Sequence, residues 1–153
     1  MTDRYFNPFQ TTDIIVPSEF HEAFGRYCQR DSKENLDHSP FPRMIDLWFL
    51  SLCVAARSNL NPKDISKVKS VKIIDGAIFG SDPWRVHMLM MVAVAKSGDV
   101  KIVSEPNKMI RIANGLAAAG LPKVIEMLQN GGAEPIWNIS EAITSLINNG
   151  QLE

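Results

Sequence analysis

Between Pro42 and Ser58 the chain carries Met44, Ile45, Leu47, Trp48, Phe49, Leu50, Leu52, Cys53 and Val54, which together cover nearly every direction of a helical wheel. A helix that is apolar all round has no face to give to water and belongs in the middle of its fold. The run from Met44 to Ala56 is interrupted by Asp46 and Ser51 and is well short of the roughly 20 residues a bilayer crossing needs. It therefore predicts a central helix that other elements must cover. Asn59 and the Asn61-Pro62 pair end it, because the residue before proline is pushed out of the α region.

The covering elements are read from period and punctuation. Residues Met1 to Val16 show no sustained period and are expected to form an extended arm whose Tyr5, Phe6 and Phe9 need burial; residues 17–150 are expected to form a single domain. Pro17 suits a first helical turn, with Phe20, Phe24, Tyr27 and Cys28 on one face of a helix reaching Arg30. Asp31 to Ser39 is a polar loop with the composition of a mobile segment. Val68, Val71, Ile73 and Ile74, interleaved with Lys67, Lys69 and Lys72, precede Asp75-Gly76 and Ala77-Ile78-Phe79, a pattern that resembles a small hairpin. Asp82-Pro83 is a strong helix start, and Gly98 stands where a left-handed cap would close a helix over Pro83 to Ser97. Ser104 to Pro106 open a further helix ending at Gly120. Leu121-Pro122 open a short one ending at Gly131-Gly132, and Ile139 to Ile147 mark a terminal helix that stops before Gly150. The fold class is mainly α: a single compact helical domain of about six helices with one short β-hairpin.

Charge is balanced overall but not along the chain. The 153 residues hold 16 Lys and Arg against 17 Asp and Glu. The stretch from Lys67 to Arg111 has 8 basic and 4 acidic residues, whereas both flanks are net acidic. Lys67, Lys69 and Lys72 on the expected ribbon, followed by Arg85 in the first turn of the next helix, could follow a phosphate backbone without reading sequence. Lysines on an exposed strand also deter edge-to-edge aggregation, so both readings stand at this point.

Reactive clusters are absent from the sequence pattern. No Gly-x-x-x-x-Gly-Lys loop and no Gly-x-Ser-x-Gly turn occur; His21, His38 and His87 lie far apart, and Cys28 and Cys53 form no paired-thiolate motif. No metal or cofactor is expected. Asp46 on the most apolar helix is either a buried, perturbed acid that must find a donor, with Arg43 and Arg57 as local candidates, or a carboxylate that interacts with the helix amino terminus three residues from Arg43. An enzyme would have to assemble a pocket from dispersed residues such as Asp46, Arg85 and His87. Met109 to Leu128, with Gly120 between two expected helices, has the outline of a helix-turn-helix, but Lys123, Glu126 and Gln129 would make a poor base-reading helix, and two helices packed on the core fit better. The residues Met1 to Arg4 lack an export-signal layout, and two cysteines do not suggest a disulfide framework, which points to the reducing cytoplasm.

The order of these elements resembles the small helical DndE-type subunits of bacterial DNA phosphorothioation systems: apolar helix Met44 to Val54, lysine-edged ribbon Lys67 to Phe79, aromatic-started helix Trp84 to Ala95, further helix Met109 to Leu128. The resemblance spans residues 42–128 and rests on order. It implies a non-catalytic accessory subunit that joins a DNA-processing or anti-phage complex and touches duplex DNA through Lys67, Lys69 and Lys72. The aromatic arm and the acidic carboxy-terminal third depart from it.

Large apolar residues exceed what short helices need for packing, notably adjacent Trp48 and Phe49 and the methionines between Met88 and Met109. Phe6, Phe9, Trp48 and Trp84 are therefore expected to serve as interface anchors, and the expected partners are other protein subunits, a second copy included, with duplex DNA and without a membrane.

Overall fold

The computed structural model describes residues 6–30 and 35–149, so Tyr5, the start of the loop at Asp31 and the stop at Gly150 lie outside the described residues. The fold is mainly helical, with one small sheet. Its centre is α2 (Met44–Arg57), packed along α4 (Pro106–Gln129). Ile45, Leu47, Trp48, Leu52 and Ala55 of α2 are fully enclosed, as its all-round apolar pattern requires. Helix α1 (His21–Tyr27) covers one end, α3 (Pro83–Ser97) lies along α4, and α5 (Pro135–Asn149) packs on α4 from beyond a short turn. No helix of the described residues is long and apolar enough to cross a membrane.

Helix α3 begins and ends where its punctuation places it: Pro83 is the first helical residue, and Gly98 closes it at φ 70°, donating to Val94 O at 2.8 Å. A left-handed φ of this kind suits glycine because it has no Cβ.

Three expectations are corrected. Pro17 does not open a helix; it ends strand β1 (Asp13–Pro17), and Ser18–Phe20 form a single 3-10 turn before α1. The antiparallel partner of β2 (Ser70–Asp75) is not Ala77 to Phe79 but β1, with Ile14 opposite Ile74 and Val16 opposite Val71. Gly76 to Ser81 instead wind into a 3-10 turn that drops Phe79 onto the rings of Phe9 and Trp48, at 5.8 and 6.2 Å.

The third correction concerns α4. The helix expected to break at Gly120 runs unbroken through Pro122 for 24 residues, so Met109 to Leu128 form neither a helix-turn-helix nor a pair of packed helices. Interior proline costs about 3 kcal/mol. Leu116, Leu121, Val124 and Leu128 are all buried on the face toward α2 and its neighbours, and each enclosed side chain contributes roughly 2 kcal/mol. Pro122 itself faces solvent. Gly120 marks a close crossing: a Cβ there would overlap the Ser51 carbonyl oxygen of α2.

Among the described residues the sheet has two strands, and α4 closes the outer edge of β1. Thr12 O and Ser18 N bond toward β2, so by alternation the groups of Asp13 and Ile15 point the other way. There the Asn114 side chain donates Nδ2 to Asp13 O and accepts from Ile15 N, both at 3.2 Å. One amide thus supplies the donor and acceptor a third strand would have brought, and Pro17 has no N–H to offer.

Candidate functional site

The first turn of α3 is fixed from beneath by charge. Asp82, at the helix start, does not cap the helix with its side chain. Its Oδ2 lies 3.4 Å from Arg85 Nε and 3.3 Å from Arg43 Nη2. Arg85 Nη2 donates to Asp46 Oδ1 at 2.7 Å, and Nη1 reaches Ile45 O at 3.5 Å. Asp46 also accepts from the Arg43 backbone at 3.0 Å, closing the amino-terminal turn of α2, and its side-chain bond to the Arg43 guanidinium, 3.3 Å at Nη2, raises the Arg43 pKa. Two arginines and two aspartates thereby lock α2 to α3. Such a neutral network adds little net stability compared with apolar packing but fixes geometry.

That network positions an aromatic group. The Arg85 guanidinium lies 4.8 Å from the Phe49 ring centroid and 4.7 Å from that of Trp84, and the two rings meet edge to face at 5.3 Å. Trp84 is nevertheless 54% exposed. It is an outward-facing tryptophan whose rotamer is held by an aromatic edge and a cation, and ordered aromatic groups of this kind anchor interfaces at low entropic cost.

The rest of α3 continues the surface that Trp84 begins. Val86, Leu89 and Ala93 face the core, while Met88, Met91 and Ala95 follow Trp84 on the outside at offsets of 4, 7 and 11 residues. Those offsets fall within one narrow stripe along a helix. Met91 is 66% exposed, and the stripe carries no charge; between Asp82 and Asp99 the chain holds no acid at all. Lys96 turns aside to Asn59 Oδ1 at 3.4 Å.

Against this geometry the residues expected from sequence divide. Trp84 and Phe6 are exposed, the latter at the start of the described chain. Phe9 and Trp48 are fully buried and belong to the core of this chain, so they are not docking groups. Arg85 is also inside, its charge spent on Asp46 and Asp82, which removes it from any phosphate-binding set. Lys72 bridges Asp75 and Asp13, at 2.9 Å from the latter, and those bonds raise its pKa. Lys67 and Lys69 alone of the four cationic candidates are exposed without an ion pair. Asp46 takes up the helix-terminal position: it accepts from the Arg43 backbone at the start of α2, and its closest cation is Arg85 rather than Arg57.

Of the three residues named for a dispersed pocket, Asp46 and Arg85 meet and His87 does not join them. Asp46 and Arg85 neutralise each other, and His87 sits on the exposed side of α3. Among the described residues no three His, Cys, Asp or Glu side chains are placed to hold a metal ion. Burial pushes the Cys28 thiol up to about 12, with the Asp46 charge adding to the effect, and burial also raises Cys53. Neither is poised as a nucleophile. In sequence Met88 and Met91 stood out only as part of an apolar excess, and which of the methionines face outward from α3 is set by the packing of Val86, Leu89 and Ala93. No family model, curated protein or solved structure matches this chain.

Proposed function

We propose that this chain is a non-catalytic assembly subunit that pairs with a second copy of itself through the outer stripe of α3. The observation that carries the reading is the spacing of Trp84, Met88, Met91 and Ala95 around the pinned Trp84. The intervals of 4, 3 and 4 residues read the same in both directions. In an antiparallel two-fold pair, Trp84 therefore lies opposite Ala95 and Met88 opposite Met91, large against small at the ends and flexible against flexible at the centre. Two-fold pairs use one patch on both partners, which must be self-complementary. An uncharged stripe meets that condition without like-charge repulsion.

Paired in this way, the subunit serves as a scaffold element in a larger cytoplasmic complex. That is the role implied by its likeness in element order to DndE-type subunits of DNA-processing and anti-phage systems, although α3 carries the reading independently. Contact with duplex DNA is the weaker part of that role. With Arg85 buried and Lys72 committed to two aspartates, Lys67 and Lys69 are what is left of the four expected phosphate contacts.

The geometry is tested by distances between spin labels placed at residue 91 or residue 95, each in a Cys53→Ala background. Antiparallel pairing separates the two copies of residue 95 by about 16 Å along the axis and the two copies of residue 91 by about 4 Å, from the helical rise. Equal short distances at both sites, or no dipolar coupling at either, would remove the antiparallel pair.

A further inference from the structure

A second surface has the make-up of a ligand site. Beside the outer edge of β1, a groove of about 410 Å³ runs between the strand, the segment preceding β2 and the first turns of α4. Its walls include Ile15, Ile65 and Ile110, one from each of these elements, and its rim holds Ser66, Asn107 and Arg111. The volume falls within the ~300–1,000 Å³ typical of small-ligand sites, as does the arrangement of an apolar floor with a few convergent polar groups.

Arg111 determines which ligand fits. It is exposed and belongs to no ion pair among the described residues. Both nearby acids are engaged elsewhere. Asp13, which also lines the groove, is held by Lys72 at 2.9 Å, and Asp64 accepts from Ser66 Oγ at 2.6 Å and from its backbone N at 3.0 Å. Those two bonds lower the Asp64 pKa, and the positive charge of Arg111 adds a smaller contribution in the same direction. A guanidinium offers a planar fork that matches a carboxylate. The outer edge of β1 is already filled by Asn114, so an added strand finds no free Asp13 O and Ile15 N to pair with.

We propose that this groove binds an aliphatic monocarboxylate, its carboxylate on Arg111 and its hydrocarbon part over Ile15, Ile65 and Ile110. Two sources share that chemistry, a free aliphatic acid and the terminal carboxylate of an apolar peptide.

Titration of the full chain with hexanoate, followed by amide chemical shifts, tests the site. Saturable shifts are expected at Ile15, Ser66, Asn107 and Arg111, with a dissociation constant on the order of 1 mM for so small a ligand. 1-Hexanol is expected to bind at least about tenfold more weakly, because it brings no charge to the guanidinium. The variant Arg111→Gln, at an exposed position, is expected to keep the wild-type melting temperature and to lose hexanoate binding. A second arm compares an acetylated Ala-Ile-Leu peptide bearing a free terminus with its amide. Tighter binding of the free-terminus peptide than of hexanoate assigns the site to chain ends, and the reverse order assigns it to free acids. Shifts that do not saturate, an equal response to hexanol, or unchanged binding by Arg111→Gln would overturn the proposal.

Discussion

Arg85 Nη2 donates to Asp46 Oδ1 at 2.7 Å across the junction of α3 and α2, and the same guanidinium lies beneath the Trp84 ring. Removing one partner of an enclosed ion pair leaves the other without compensation, at a cost of about 3 kcal/mol. Arg85→Leu is accordingly expected to lower the unfolding free energy by about that amount in urea titration. Arg85→Lys is expected to lose less, since it keeps one charge but cannot reach both aspartates as a planar fork. A loss under about 0.5 kcal/mol for Arg85→Leu, within the usual surface range, would mean that Arg43 alone satisfies both carboxylates.

Asn114 guards the edge of β1. Asn114→Ala leaves Asp13 O and Ile15 N without their partner, and is expected to cost about 1–3 kcal/mol. It also exposes a pairing edge, so turbidity on heating should start earlier than in the parent chain. Equal melting and aggregation curves for the two proteins would show that water replaces the amide without loss.

Gly120 sits where α4 crosses α2 most closely. Alanine usually stabilises a helix by about 1 kcal/mol relative to glycine. At residue 120 the new methyl group would press on the Ser51 carbonyl, so Gly120→Ala is expected to be destabilising instead. Gly132, with open space around its Cβ direction, is the control. Gly132 lies in the turn after α4, so thermal unfolding of both variants distinguishes the close crossing at Gly120 from the general effect of replacing a glycine.

Cys28 sets an alkaline limit. Its thiol titrates at about 12 in the fold against 9.0 ordinarily, chiefly because of burial. The folded chain then holds a proton that the unfolded chain gives up, so the slope of stability with pH is negative between those values. The stabilising contribution is intact below pH 9 and lost as pH rises toward about 12. Urea titrations at pH 8 to 10.5 should show this decline, and Cys28→Ala should flatten it. An undiminished decline in that variant would assign it to other groups.

Elements whose signals are local were legible in the sequence. The all-round apolar pattern marked α2 as central, and Asp82-Pro83 with Gly98 bounded α3. What escaped depends on distant partners. The strand Asp13–Pro17 is defined by β2 more than fifty residues later, and no local pattern announces that pairing. Gly120 and Pro122 read as stops because propensity says so, yet burial on both sides of them keeps α4 continuous. Arg85 read as a surface cation for the same reason: Asp46, its closest partner, lies 39 positions away. Of the aromatic residues expected at an interface, Trp84 is exposed, whereas Phe9 and Trp48 were drawn inside around Phe79.

Self-pairing through α3 is tested most directly by sedimentation equilibrium of the full chain beside Met91→Lys, which puts a charge in the middle of the exposed stripe. The parent chain is expected to approach twice its 17.1 kDa mass as concentration rises toward about 100 μM. Met91→Lys is expected to stay at the single-chain mass with an unchanged melting temperature. A parent chain that remains at 17.1 kDa throughout, or a lysine variant that associates as well as the parent, would contradict assembly through this helix.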